Sequence, residues 1–163
     1  MTPFVVIVAV SPDAKNVVLL TKNKGPSFLI GKLTFPGGKD DEGDAHSSMA
    51  AARELFEECG VKVPSTAMQF VAGKNAPFGL LETYFVATDI SAARTMETEV
   101  IQIADFDTVV ADARGAGAHK YAPDFIELVD LVTPFVQRVR AQTRGAAAPS
   151  PEAKSVARAP RRM

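Results

Sequence analysis

The chain predicts an α/β fold, a mixed β-sheet with helices packed on its faces, and three observations carry that prediction. β-Branched runs and helix-periodic stripes are interspersed along the chain rather than gathered into an all-strand or all-helix half. The strand-like runs are short and are bounded by Gly, Pro, Asn and Asp. A length of 163 residues is that of one ordinary domain, enough to bury a single sizeable core.

In chain order, Phe4–Val10 is a continuous β-branched run and reads as a buried strand. Ser11-Pro12-Asp13 is turn chemistry, and Val17–Leu20 reads as the return strand of a hairpin. Lys22–Ser27 is polar, contains Gly25-Pro26 and reads as a loop; Phe28–Phe35 has room for a further short strand. Pro36-Gly37-Gly38 is a strong breaker, and Lys39–Ala45 is a charged loop. From Ser47 to Cys59, Met49, Ala52, Leu55, Phe56 and Cys59 recur at helical spacing and predict an amphipathic helix. Ser47 or Ser48 is its candidate cap, and Gly60 stops it. Val61–Val63 and Met68–Ala72 are short β-like pieces; Gly79–Thr88 and Val100–Ile103 read as strands. Phe106–Ala113 predicts a short helix. Ala122–Gln142 predicts a longer one with Phe125, Leu128, Val129, Val132 and Val136 on its apolar face and Pro134 as a point where it can kink or divide. One domain is expected over residues 1–143, followed by a disordered basic Ala/Pro/Arg-rich tail over 144–163.

Charge narrows the function classes. The net charge is −1, but the tail holds five basic residues against Glu152, so it is +4 and the body is −5. An acidic body lacks the basic face that nucleic-acid binding needs, so no nucleic-acid partner is expected. A small anionic ligand can still bind such a body if cations mediate the contact. The tail alone could serve an acidic partner. Cys59 is the single cysteine, which rules out an intrachain disulfide and fits a reducing compartment. The apolar start MTPFVVIVAV has no basic flank and is broken by Pro12, Asp13 and Lys15, too soon for a membrane span or a signal peptide. The expectation is a cytoplasmic protein without a membrane partner.

The chemistry concentrates in Gly37–Val61, GGKDDEGDAHSSMAAARELFEECGV. Positions i, i+3 and i+4 of a helix share a face, so Glu54, Glu57 and Glu58 are expected to converge. Three crowded carboxylates repel unless a hard divalent cation sits among them, and Mg²⁺ or Mn²⁺ suits oxygen ligands. An acidic helix face is more often simply solvated. Here, however, a Gly-Gly turn and an acidic loop lead directly into it, a unit able to set backbone N–H groups and metal ligands around phosphates.

This stretch resembles the Nudix box, G-x5-E-x7-R-E-U-x-E-E-x-G-U with U aliphatic. Gly38 matches the first glycine, and Arg53-Glu54-Leu55-Phe56-Glu57-Glu58-Cys59-Gly60-Val61 matches the second half without a gap. Phe35-Pro36-Gly37-Gly38 resembles the usual lead-in. The first acidic position departs from the pattern. Five residues separate Gly38 from Asp44, as the pattern asks, but eight rather than seven separate Asp44 from Arg53, so a one-residue insertion is expected, with Asp44 or Glu42 in place of the first Glu.

The resemblance to this MutT-like family implies a Nudix-type α/β/α sandwich with a mixed β-sheet. It also implies a pyrophosphohydrolase, a hydrolase of phosphorus-containing acid anhydrides that cleaves a diphosphate linkage in a nucleotide. By similarity Glu54, Glu57 and Glu58 would bind Mg²⁺, with Mn²⁺ as the alternative, and Arg53 would brace the carboxylates. Metals neutralise phosphate oxygens and lower the pKa of a bound water, whose proton a carboxylate then takes. Besides the box glutamates, Glu97 and Glu99 are candidate bases, Glu99 at the better offset and also a candidate ligand. Gly38 and Lys39 are candidate substrate contacts, although Lys39 reads equally as a solvated lysine. Pro77, sixteen positions after Val61, stands where ADP-ribose-type members often carry proline. The short chain points instead to nucleoside triphosphates, so both substrate classes stay open. Phe28, Phe78 and Phe85 could stack on a base but read better as core, as does Tyr84. His46 and His119 have no ligand partners at useful spacing, and Cys59 reads as packing. Family members are often dimers, which leaves a homodimer open, and a Nudix-fold binding or regulatory module without turnover is the alternative function.

Overall fold

The computed structural model describes residues 3–41 and 43–147. Seven strands form one mixed sheet: β1 (Phe4–Val10), β2 (Asn16–Thr21), β3 (Leu33–Thr34), β4 (Gly37–Lys39), β5 (Gln69–Ala76), β6 (Gly79–Ala87) and β7 (Val100–Asp105). Their order is β3-β2-β1-β6-β5, with β4 also on β1 and β7 also on β2. The helices are α1 (Ser47–Cys59), α2 (Phe106–Arg114) and α3 (Phe125–Ala147).

β1 is buried on both faces, which is why its sequence is an unbroken apolar run. It pairs parallel with β6 from Phe4↔Leu81 to Val10↔Ala87 and antiparallel with β2 and β4. Strand parity sorts the core into two layers. Val5, Ile7 and Ala9 join Ala50, Ala51, Leu55 and Cys59 of α1. Val6, Val8 and Val10 join Phe106 of α2 and Phe125, Leu128, Val129, Val132 and Val136 of α3. The result is the expected α/β/α arrangement, with α1 alone on one face.

The structure corrects several local expectations. Helix α1 is turned about one position from the anticipated stripe: Ala50 and Ala51 are buried, whereas Met49 and Phe56 are 40% and 46% exposed. Two adjacent alanines let the helix backbone approach the sheet closely, and close packing there outweighs burial of the larger side chains. The cap is His46, whose Nδ1 accepts from the Ser48 amide at 3.1 Å. Ser47 is instead buried against the Tyr84 hydroxyl. Gly60 ends the helix with φ 74°, as expected.

The Gly-Gly turn does not break the sheet but enters it. β4 pairs Val5↔Gly38 and Val6↔Gly37, and a Cβ on Gly37 would stand 2.2 Å from the Val5 carbonyl oxygen, so only glycine permits the pairing. Val61 and Val63 are buried but form no strand, and the next strand runs on to Ala76 with a bulge between Phe70 and Ala72. Pro134 lies inside α3 without dividing it. The helix reaches Ala147, four residues into the stretch expected as tail; residues 148–163 lie outside the described residues. Among the described residues, no helix is long and apolar enough to cross a membrane.

Candidate functional site

β4 and the loop after it present the backbone to one side of α1. The Gly37 amide donates to Glu58 Oε1 at 2.9 Å. A Cβ on Gly38 would fall 2.3 Å from Glu54 Oε2, so the second glycine leaves the space that the Glu54 carboxylate occupies. The two glycines of the lead-in therefore each receive one glutamate of the helix.

Arg53 gathers the acids of the loop and of the helix. Its Nη2 donates to Asp44 Oδ2 at 2.9 Å and to the Lys39 carbonyl at 2.9 Å. Its Nη1 stands 3.2 Å from Glu54, 3.2 Å from Glu57 and 3.5 Å from Asp41. Asp44 thus stands in contact with the box arginine despite the extra loop residue; Glu42, the other candidate for that place, lies outside the described residues. The hydrogen bond from Arg53 holds the Asp44 carboxyl below the usual carboxylate range, and the acids around Arg53 push its guanidinium further up.

The remaining acids are less well compensated. Glu58 is buried, and burial together with the nearby Glu54 and Glu99 pushes its carboxyl up to about 7 against the bond from Gly37. Burial also raises Glu54, with Glu57 and Glu97 adding to the effect and Arg53 opposing it. Glu99 is 4% exposed. Its Oε2 accepts from the Asn23 amide at 3.0 Å and lies 3.2 Å from Lys22 Nζ, whereas its Oε1 is buried without a partner.

This set fits a hard divalent cation. Every donor is an oxygen, one buried carboxylate oxygen lacks a partner, and two carboxyls carry a burial penalty that a cation would remove. The expected convergence of Glu54, Glu57 and Glu58 is only partial. Among the described residues, no three acidic, His or Cys side chains stand close enough to hold a metal as they are. The cause is visible in the bonding. Arg53 draws on Glu57, whose side chain is 46% exposed, while the Gly37 amide holds Glu58 on the buried side.

Gly37, Gly38 and Glu58 line a cleft of about 750 Å³, with Lys22, Phe28, Lys74, Pro77, Phe78 and Asp124 among its other walls. Phe28 and Phe78 are 63% and 56% exposed, so the reading of both as core is corrected; they sit before β3 and in the β5–β6 turn, Phe78 with its ring edge-to-face against Phe4. Phe85 and Tyr84 are core as expected, as is Cys59, whose thiol burial pushes up to about 12. Lys39 does not line the cleft: its ammonium lies over the Phe4 ring at 5.6 Å. Glu97 is exposed. The sequence marks Lys22 only as part of a loop. Strand parity could have singled it out, since Val18 and Leu20 face the α1 layer and Lys22 continues that row.

The NUDIX domain family matches residues 1–115. Three solved structures share the fold. The NUDIX domain of Shewanella oneidensis NrtR, crystallised with ADP ribose, is 19% identical, covers 82% of this chain and 87% of its own, and has a TM-score of 0.65. A MutT from work on Aliivibrio salmonicida and Vibrio cholerae is 21% identical, covers 86% and 98%, and has a TM-score of 0.57. A MutT/nudix family protein of Enterococcus faecalis is 16% identical over 64% of this chain, with a TM-score of 0.56; the chain spans 43% of that protein's length. No curated protein matches.

Proposed function

Because the chain belongs to the NUDIX domain family, we propose that it is a Mg²⁺-dependent hydrolase of a diphosphate linkage in a nucleoside diphosphate derivative. The observation that carries this reading is the floor of the cleft. Glu58 lines it beside the Gly37–Gly38 backbone, shares its field with Glu54 and Glu99, and carries a burial penalty that a bound cation would relieve. Glu54, Glu57, Glu58 and Glu99 would hold the metal, with Mn²⁺ able to replace Mg²⁺. When bound, the metal would neutralise phosphate oxygens and lower the pKa of an attacking water. Glu57 and Glu99 are the carboxylates proposed to take the water's proton; Glu99 has a bare oxygen for it. Arg53 would fix the positions of Glu54 and Glu57, a bracing role set by its fork of donors. The Gly38 backbone would meet the substrate, while Phe28 and Phe78 offer exposed rings against which a base could stack.

Two substrate classes are proposed, nucleoside triphosphates and ADP-ribose-like nucleoside diphosphate derivatives. The position of Pro77 on the cleft wall and the ADP ribose bound by the Shewanella oneidensis neighbour support the second. The alternative, a nucleotide-binding module without turnover, is favoured by the incomplete convergence of the carboxylates among the described residues. A panel of nucleoside triphosphates, ADP-ribose and dinucleoside polyphosphates, assayed for product release with Mg²⁺ and with Mn²⁺, tests the reading. Turnover confined to one class supports the hydrolase and names its substrate. Ligand binding without turnover on any of them, with either metal, replaces it with the binding module.

A further inference from the structure

Two lysines line the cleft, and they are committed to different degrees. The Lys74 ammonium is gripped by both oxygens of Glu127, at 2.7 and 2.8 Å. Lys22 makes a single ion pair among the described residues, with Glu99 at 3.2 Å, and also faces the field of Glu58. An ammonium has three donors, so Lys22, which lines the cleft, keeps donors to spare for a ligand. The Glu99 oxygen it approaches does not depend on it, because that oxygen also accepts from the Asn23 amide at 3.0 Å. The Asn23 side chain further ties the segment after β2 to the one before β7 by donating to the Thr98 carbonyl at 2.6 Å. Lys22 can therefore leave Glu99 without leaving the Oε2 oxygen bare.

We propose that Lys22 is a phosphate-binding residue of the cleft, held in reserve by Glu99 while the cleft is empty and passed to a phosphate oxygen of the ligand when one enters. This deepens the proposed function, on whose diphosphate substrate class it rests, by naming a protein cation that contacts the diphosphate directly. It also gives Glu99 a second effect: it competes with the ligand for Lys22. The ion pair in the empty cleft keeps a buried acid and a half-buried base compensated, and exchange for a phosphate leaves the Glu99 carboxylate available to a cation.

The test uses inorganic pyrophosphate in EDTA, so that neither metal nor hydrolysis enters, with affinity read by titration calorimetry on the full chain. Lys22→Met should weaken binding by about tenfold, the loss of one charge-assisted hydrogen bond. Lys22→Arg should stay within a few-fold of wild type. Glu99→Gln should bind pyrophosphate more tightly, because Lys22 is released, and that gain should vanish in the Lys22→Met/Glu99→Gln double variant. Lys22→Gln serves as a second removal of charge, and melting temperatures identify any variant that fails to fold. Unchanged affinity in folded Lys22→Met, a gain that persists in the double variant, or no measurable binding by wild type would overturn the proposal. Lys22-dependent binding in a chain that turns over no nucleotide would instead sink the hydrolase reading and leave this one standing.

Discussion

Helices α1 and α3 lie on opposite faces of the same sheet and are both amphipathic, yet they do opposite things. α3 buries only apolar side chains in its layer, among them Phe125, Val129, Val132 and Val136. α1 touches the sheet mainly through alanines, leucine and cysteine, and carries Glu58 into the interior and Arg53 into a web of four acids. On free-energy grounds the α1 layer is the poorer design, since a buried carboxyl is destabilising unless it is protonated or paired. That cost is placed where the loop of β4, the cleft and Glu99 meet. Stability is thus expected from the α3 side and chemistry from the α1 side.

The sharpest way to break this division is Glu57→Gln. The account expects turnover to fall by roughly a thousandfold or more, the several kcal/mol a metal clamp contributes to the transition state. Folding should change by under about 0.5 kcal/mol, because the side chain is 46% exposed. Steady-state kinetics and urea unfolding on the same preparation check both halves; a destabilised but active variant would reverse the assignment.

Next in size is the pH dependence of the metal-free protein. The Glu58 carboxyl is pushed up to about 7 from an ordinary 4.5 by burial. Below 4.5 the folded and unfolded chains both hold its proton, so there is no penalty. As pH rises from 4.5 towards 7 the unfolded chain releases the proton first, and unfolding free energy falls, by up to about 3 kcal/mol, before levelling above 7. Urea unfolding in EDTA across that window should show a clearly larger fall in wild type than in Glu58→Gln, which keeps only the smaller contribution of the raised Glu54. Parallel curves for the two proteins would remove Glu58 as the cause.

A smaller effect is expected on the other face. Val132→Ala, at a position with 0% exposure, should cost about 2 kcal/mol of stability and leave the turnover proposed for the folded protein unchanged. Smallest is Lys74→Met, which removes the exposed pair to Glu127 linking β5 to α3; urea unfolding should show a loss of no more than about 1 kcal/mol.

Much of this was readable in the sequence, for physical reasons. The β1 run and the helical periodicities over α1 and α3 are local signals, and each corresponds to an element that the structure contains. What escaped was tertiary. Gly37–Gly38 looks like a breaker because glycine usually is, and only the approach to Val5 makes it a strand. The depth at which α1 rides on the sheet decides that Ala50 and Ala51, not Met49 and Phe56, are covered. Phe28 and Phe78 look like core by composition, yet they stand on the turns that border the cleft and are 63% and 56% exposed. Pairing between Lys22 and Glu99 spans most of the domain, beyond any local pattern.

The most direct test of the central claim is Mn²⁺ binding followed by electron paramagnetic resonance, on wild type, Glu57→Gln and Val132→Ala. If the carboxylates beside the Gly37–Gly38 turn are the metal site, wild type and Val132→Ala bind alike and Glu57→Gln binds at least about tenfold more weakly. Equal binding by all three, or none by wild type, would contradict the assignment of metal chemistry to the α1 face.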